Sequence, residues 1–211
     1  MSESEGPSPS AERRRTPATH DFEASYATGR PPWDIGRPQS AFRDLADRGL
    51  LRGRVLDVGC GTGEHALMAA SLGLDATGVD AASTAITIAR TKAEERKLDA
   101  RFLIWDALQL PALGESFDTV LDCGLFHVFE DAARPAYVDG LRATMPTGAR
   151  YYMLCFSDEE PGDWGPRRIT QDEIRASFEH GWRVEGIEPA MIETTIEPER
   201  VHAWLVSLFR T

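Results

Sequence analysis

The sequence predicts an α/β fold: a seven-stranded, mostly parallel sheet with its last strand antiparallel and helices on both faces. Three observations lead there. Short β-branched or apolar runs bounded by Gly or Asp alternate with amphipathic stretches of helical period, which is the pattern of βαβ units. The last two runs have only 189–200 between them, too few residues for a right-handed helical crossover, so the final strand should run against its neighbour. The chain has 211 residues, of which 42% are hydrophobic, and reads as one ordinary domain able to bury roughly 70% of its unfolded surface.

Taken in order, residues 1–19 are rich in Ser, Pro, Glu and Arg, offer almost nothing to bury, and are expected to be a disordered tail. Residues 20–211 are expected to form a single domain. Its first part, 20–38, mixes aromatics with Gly and Pro and reads as ordered but irregular, with a helix opening near Gln39 or Ser40. Strands are expected at 54–58, 76–79, 101–105, 117–123, 149–156, 182–188 and 203–209. Helices are expected at 63–72, 83–97, 134–144 and 170–178. Thr170 followed three residues later by Glu173 forms a capping box for the last of these.

Charge narrows the function. Against 23 Lys and Arg stand 34 Asp and Glu, a net charge of −11, so attraction to phosphate backbones or anionic lipid does not drive binding; neither a nucleic acid nor a membrane is an expected partner. No apolar run has the length of a membrane span or of a signal peptide, and a cytoplasmic protein is expected. Cys60, Cys123 and Cys155 form no CxxC and suit neither a disulfide framework nor a zinc site. The five histidines also lack metal-ligand spacing, so no metal is expected.

The first strand runs through Asp57 into Gly59-Cys60-Gly61-Thr62-Gly63 and then directly into a helix. Glycines let a backbone turn tightly and approach a ligand, and the helix start offers unpaired N–H groups, so this is a cofactor-binding turn. A dinucleotide fingerprint wants GxGxxG, whereas the third glycine here comes one residue earlier; no GK[ST] follows, which excludes a P-loop. Cys60 reads as a small loop filler. Alone, Asp57 or Asp106 would read as a turn or cap aspartate.

An acid followed by GxGxG at the end of strand one resembles the class I S-adenosylmethionine (SAM)-dependent methyltransferases, a Rossmann-like group. Gly78-Val79-Asp80 ending strand two, Trp105-Asp106-Ala107 ending strand three and the FDxV-like strand Phe117–Cys123 fall at the family's places. The resemblance implies SAM as cofactor and S-adenosylhomocysteine as product. It implies Asp57, Gly59, Gly61 and Gly63 around the amino-acid end, Asp80 and Ala81 at the ribose, Asp106 and Ala107 at the adenine, and Cys123 beside the cofactor.

In an open α/β sheet the ligand lies beyond the carboxyl ends of the strands, so the acceptor should meet Phe126, His127 and Trp164, with Phe22 and Tyr26 of the N-terminal segment also expected against it. No NPPY- or DPPY-like tetrad follows strand four. His127 suits a general base, while the alternative is a histidine packed between Phe126 and Phe129. Trp164 is read as a pocket wall or a loop anchor.

The block with Phe22, Tyr26 and Trp33, through Gly29-Arg30-Pro31-Pro32-Trp33-Asp34-Ile35-Gly36-Arg37-Pro38, resembles the N-terminal lid of thiopurine- and tellurite-type methyltransferases. There Trp33 is the candidate for a cation–π contact with the sulfonium, or else for lid packing. Together with the start His20-Asp21-Phe22-Glu23-Ala24-Ser25-Tyr26, the lid looks like that of mycobacterial heterocyclic toxin methyltransferases, which methylate hydroxyquinolone-like compounds on oxygen. That resemblance implies detoxification of a small, flat aromatic or heterocyclic acceptor by a monomer or weak homodimer. Arg30 and Arg37 equally suit an anionic acceptor. The rivals are a thiopurine- or tellurite-type enzyme, an NAD-dependent oxidoreductase and a noncatalytic SAM-binding protein.

Overall fold

A computed structural model describes residues 21–211. The expected tail at 1–19, and His20, lie outside the described residues. Strands β1 (Arg54–Val58), β2 (Asp75–Asp80), β3 (Ala100–Ile104), β4 (Thr119–Cys123), β5 (Arg150–Phe156), β6 (Trp182–Glu193) and β7 (Arg200–Arg210) form one sheet in the order β3-β2-β1-β4-β5-β7-β6. The first five strands are parallel, and β7 runs antiparallel to both β5 and β6. From β1 the chain winds outward to β3 and then returns to place β4 on the other side of β1. The crevice between β1 and β4 is therefore the switch point where such sheets take ligands.

The central strands are apolar on both sides because both faces are covered. One face packs Leu56, Val120, Tyr151 and Met153 against Phe117, Tyr137, Leu141 and Phe178. The other packs Val55, Leu121, Tyr152 and Leu154 against Phe42, Leu45 and Ala69. The helices are α1 (Phe22–Ala27), α2 (Ser40–Asp47), α3 (Glu64–Ser71), α4 (Ser83–Arg96), α5 (Arg134–Thr144) and α6 (Gln171–Ser177). The capping box at Thr170 is formed in both directions.

Two expectations need correction. Residues 20–38 are not wholly irregular, because Asp21 accepts a hydrogen bond from the Ala24 amide at 2.9 Å and opens α1. Half of the connector 189–200 is strand. β6 continues through Pro189 to Glu193, and Pro189 pairs with Trp204. Proline is tolerated there because β6 is an edge strand, whose outward N–H needs no partner. No helix among the described residues is long and apolar enough to cross a membrane.

Candidate active site

The glycine turn is built by steric necessity. Gly59, Gly61 and Gly63 hold φ of +67°, +52° and +85°. A Cβ on Gly63 would lie 2.6 Å from the Phe102 ring and 2.9 Å from Ala89 Cβ, so its absence lets the α3 start close on β3 and α4. A Cβ on Gly61 would lie 2.5 Å from Tyr26 Oη, which places the lid tyrosine directly over the turn.

Asp57, at the end of β1, is 1% exposed, and its Oδ2 accepts from the Ala66 amide in the first turn of α3 at 3.1 Å. Its Oδ1 has no hydrogen-bond partner among the described residues and stands 3.8 Å from His65 Nδ1. His65 Nε2 accepts from the Gln39 amide at 3.2 Å, so the start of α2 is tied to the same turn. Burial, reinforced by Asp80 and Asp122, pushes the Asp57 carboxyl up to about 7. A carboxyl raised this way stabilises the fold only while protonated, and the penalty grows from about pH 4 to about pH 7. Asp57→Asn should therefore raise the unfolding midpoint of the ligand-free protein at pH 8 by on the order of 5 °C, with a smaller gain at pH 5. Thermal scans at both pH values check this; equal gains would refute the charge as the cause.

Asp80 closes β2 and bridges two elements. Its Oδ2 accepts from the Gly61 amide and its Oδ1 from the Ala82 amide, both at 2.8 Å. Desolvation holds its carboxyl above the ordinary carboxylate range. Ala81 lies between the two donors' elements and is exposed. Asp106 is exposed beyond β3, and its Oδ1 caps the 3-10 turn Ala107–Leu113 through the Leu108 amide at 2.9 Å. Three carboxylates thus stand at the ends of three adjacent strands. An orphaned carboxylate oxygen, a glycine turn and two further acidic groups form a set of acceptors that fits a zwitterionic nucleoside and offers no phosphate cradle.

At the end of β4, Asp122 is fully buried and accepts four hydrogen bonds. Tyr137 Oη lies at 2.8 Å, Tyr151 Oη at 2.7 Å, and the Leu125 and Phe126 amides at 2.8 and 3.3 Å. This holds the turn after Cys123, so that Leu125 covers Gly59 at 3.1 Å from where its Cβ would be. Cys123 is half-buried at this point, and burial pushes its thiol well up. Sequence reading passed over Asp122 as an acceptor, although an acid inside the apolar run Thr119–Cys123 was a signal that buried partners exist.

Two expected acceptor residues are corrected here. Phe126 does not face a pocket; its ring is fully buried, stacked 5.7 Å from Phe178, with the Arg134 guanidinium 4.8 Å from its centroid. His127 is placed as expected at the carboxyl ends of β4 and β5, but its Nδ1 accepts from the Phe156 amide at 3.0 Å. An amide nitrogen only donates, so the neutral ring carries its proton on Nε2 and has no free lone pair there. Burial also lowers the imidazole to about 3. The geometry therefore opposes a general base.

Phe156 meets His127 edge-on at 5.1 Å and Trp164 at 6.0 Å. Trp164 anchors its loop on Phe156. Arg168 packs over both rings, at 5.9 and 5.6 Å, and donates to the carbonyls of Glu160, Pro161, Trp164 and Pro166, which sets the loop's shape.

The lid is fastened at three places. Glu23 accepts from the Thr84 amide at 3.2 Å and from the Thr84 hydroxyl at the start of α4. Asp34 Oδ2 accepts from the Thr62 hydroxyl of the glycine turn at 3.1 Å. Glu193 takes a two-point salt bridge from Arg37 at 2.9 and 3.0 Å and the Ser40 amide at 3.2 Å, while the Gln39 amide group pairs with the Glu193 backbone. Arg37 is committed by these bonds, and Arg30 by its bond to the Asp34 carbonyl at 2.6 Å, so neither is a free anion selector. Trp33 is 39% exposed, donates to Tyr26 Oη at 2.9 Å and meets Phe22 at 5.9 Å. Tyr26, not Trp33, is the lid residue that reaches the turn. A groove of about 610 Å³ between α1 and α4 is lined by Tyr26 and by Lys92 and Arg96, which pair with Glu64, but not by Phe126, His127 or Trp164.

Comparison with known proteins gives the family. A family model described as a methyltransferase domain matches residues 55–148. A 2-heptyl-1-hydroxyquinolin-4(1H)-one methyltransferase of Mycobacteroides abscessus is 35% identical, over 81% of this chain and 80% of the relative. A solved chain from work on the conversion of a disulfide bond into a thioacetal group during echinomycin biosynthesis is 40% identical. It covers 90% of this chain and 91% of its own, with a TM-score of 0.80. Magnesium protoporphyrin IX methyltransferase from Synechocystis, solved with bound SAM, shares the fold at 21% identity and a TM-score of 0.64, over 82% of this chain and 77% of its own.

Proposed function

The chain belongs to the SAM-dependent class I methyltransferases, and from that premise we propose that it methylates a small, flat aromatic or heterocyclic acceptor of the hydroxyquinolone kind at a hydroxyl oxygen. Bound SAM supplies a methyl group on an electrophilic sulfonium. Everything else is alignment, because an in-line displacement gains most from holding two reactants in register.

In this reading Asp80 accepts the ribose hydroxyls while keeping the glycine turn in place. Asp57, behind Gly59, Gly61 and Gly63, gives its orphaned oxygen to the amino-acid end. Asp106 and the Ala107 amide meet the adenine, with Ala81 and Cys123 beside the nucleoside. Phe22, Tyr26 and Trp33 cover it and exclude water. The acceptor lies against His127, Phe156 and Trp164.

The observation that carries this reading is the aromatic corner at the ends of β4 and β5, where Phe156 joins His127 to Trp164. Such a wall suits a planar ring over a flexible chain. A sulfur acceptor is the second reading, favoured by the similar chain from the disulfide-to-thioacetal work. The test is a panel of an N-hydroxyquinolone, a flavonol, an aryl thiol and tellurite with SAM, scored by S-adenosylhomocysteine release and product mass. O-methylation of the first two at rates at least about tenfold above the thiol supports the proposal, and preference for the thiol replaces it with the second reading.

A further inference from the structure

Resting on that acceptor reading, we propose that His127 is a fixed hydrogen-bond donor, presenting Nε2–H to the acceptor atom, and that the enzyme thereby selects acceptors that arrive already ionised. Acidic phenols, N-hydroxyl compounds and thiols that have lost their proton in solution form that class.

The orientation of the ring follows from one bond. Phe156 N–H points at Nδ1 from 3.0 Å. Moving the ring proton to Nδ1 would set donor against donor and orphan a buried amide. Nε2 has no partner among the described residues, and Gly124 keeps the space beside it open: a Cβ there would lie 3.5 Å from Nε2. Gly124 holds φ at +80°.

The surroundings supply no base and no countercharge for an imidazolium. On β4, Asp122 is saturated by four donors and Cys123 is held as a thiol. On β5, Cys155 is likewise pushed up by burial. Arg134 stands over Phe126, and Arg168 over Phe156. The described histidines with a carboxylate within ion-pair distance are His65 and His202, and His127 is not among them. A fixed N–H donor aimed at the acceptor atom favours an anion over its conjugate acid, because a hydrogen bond to an ionised acceptor is the stronger one. In the transfer the anion's lone pair forms the bond to the methyl carbon, the methyl–sulfur bond breaks with its electrons going to sulfur, and no proton changes hands.

Two measurements on the full chain decide the matter. Imidazole nitrogen NMR should show His127 as the Nε2–H tautomer, untitrated from pH 5 to 9; an Nδ1–H tautomer or a protonation step in that range overturns the proposal. With acceptors of graded acidity, the pH profile of kcat/KM should have an inflection that moves with each acceptor's own pKa. His127→Gln, whose amide N–H replaces the donor, should keep activity within about fivefold, while His127→Ala loses at least about tenfold, with SAM affinity by calorimetry unchanged in both. An inflection shared by all acceptors and abolished in His127→Ala would instead make His127 a base. If no acceptor in the series is methylated, the acceptor assignment fails, and the NMR result still decides the state of the ring.

Discussion

Asp80→Ala should weaken SAM binding at least about 100-fold, or about 2.7 kcal/mol. Two losses combine in this one substitution. The carboxylate holds the Gly61 amide and the Ala82 amide at 2.8 Å each, so its removal loosens the glycine turn from the α4 start. It is also the acidic group at the end of β2 to which the ribose hydroxyls are assigned, and hydrogen bonds to a charged group contribute about 1.5–3 kcal/mol each. S-Adenosylhomocysteine should lose the same factor, because it shares the ribose and lacks only the sulfonium. Asp80→Asn keeps one acceptor oxygen and should fall between. Calorimetric titration of the three proteins with both nucleosides measures this directly, and a wild-type affinity in Asp80→Ala would remove Asp80 from the cofactor site.

Asp122→Ala should be the most destabilising single substitution at the site, at about 3–5 kcal/mol, because it leaves buried donors facing a void. Two are tyrosine hydroxyls from α5 and β5, and two are amides of the turn that carries Leu125 and His127. A chain of this size should lose roughly 10 °C or more in unfolding midpoint. Tyr137→Phe and Tyr151→Phe each remove one donor without orphaning another and should cost about 1 kcal/mol. Denaturant unfolding of the set reads the difference. If Asp122→Ala costs no more than either tyrosine variant, the four-donor network does not hold this corner.

These two residues mark the boundary of what the sequence made legible. Asp80 was readable because its neighbours in space are also its neighbours in a motif: a strand, a glycine turn and the next strand's acid lie within one βαβ unit. The strand positions, the antiparallel last strand and the capping box were readable for the same local reasons. Asp122 was not, since its tyrosines stand 15 and 29 residues away and no spacing rule joins them. The orientation of His127 escaped as well. Position in sequence put the ring at the ends of β4 and β5, but which nitrogen carries the proton depends on one amide of a later strand. Phe126 was misplaced because a phenylalanine next to an active-site histidine looks the same in sequence whether it turns toward a ligand or toward Phe178. The reach of β6 past Pro189 was hidden because proline stops a strand only where its N–H would have been needed.

The clasp at Glu193 also sets a timetable for the making of the protein. Arg37 must wait for a partner 156 residues further along the chain, which a ribosome adding about 5–20 residues per second delivers only after roughly 10–30 s. Over the later part of that interval β1 to β4 and the glycine turn are already available to pair, while the cover has only its fastenings to Thr62 and Thr84. The cover over the nascent nucleoside site is therefore held at two points first and gains its third only once β6 has been made.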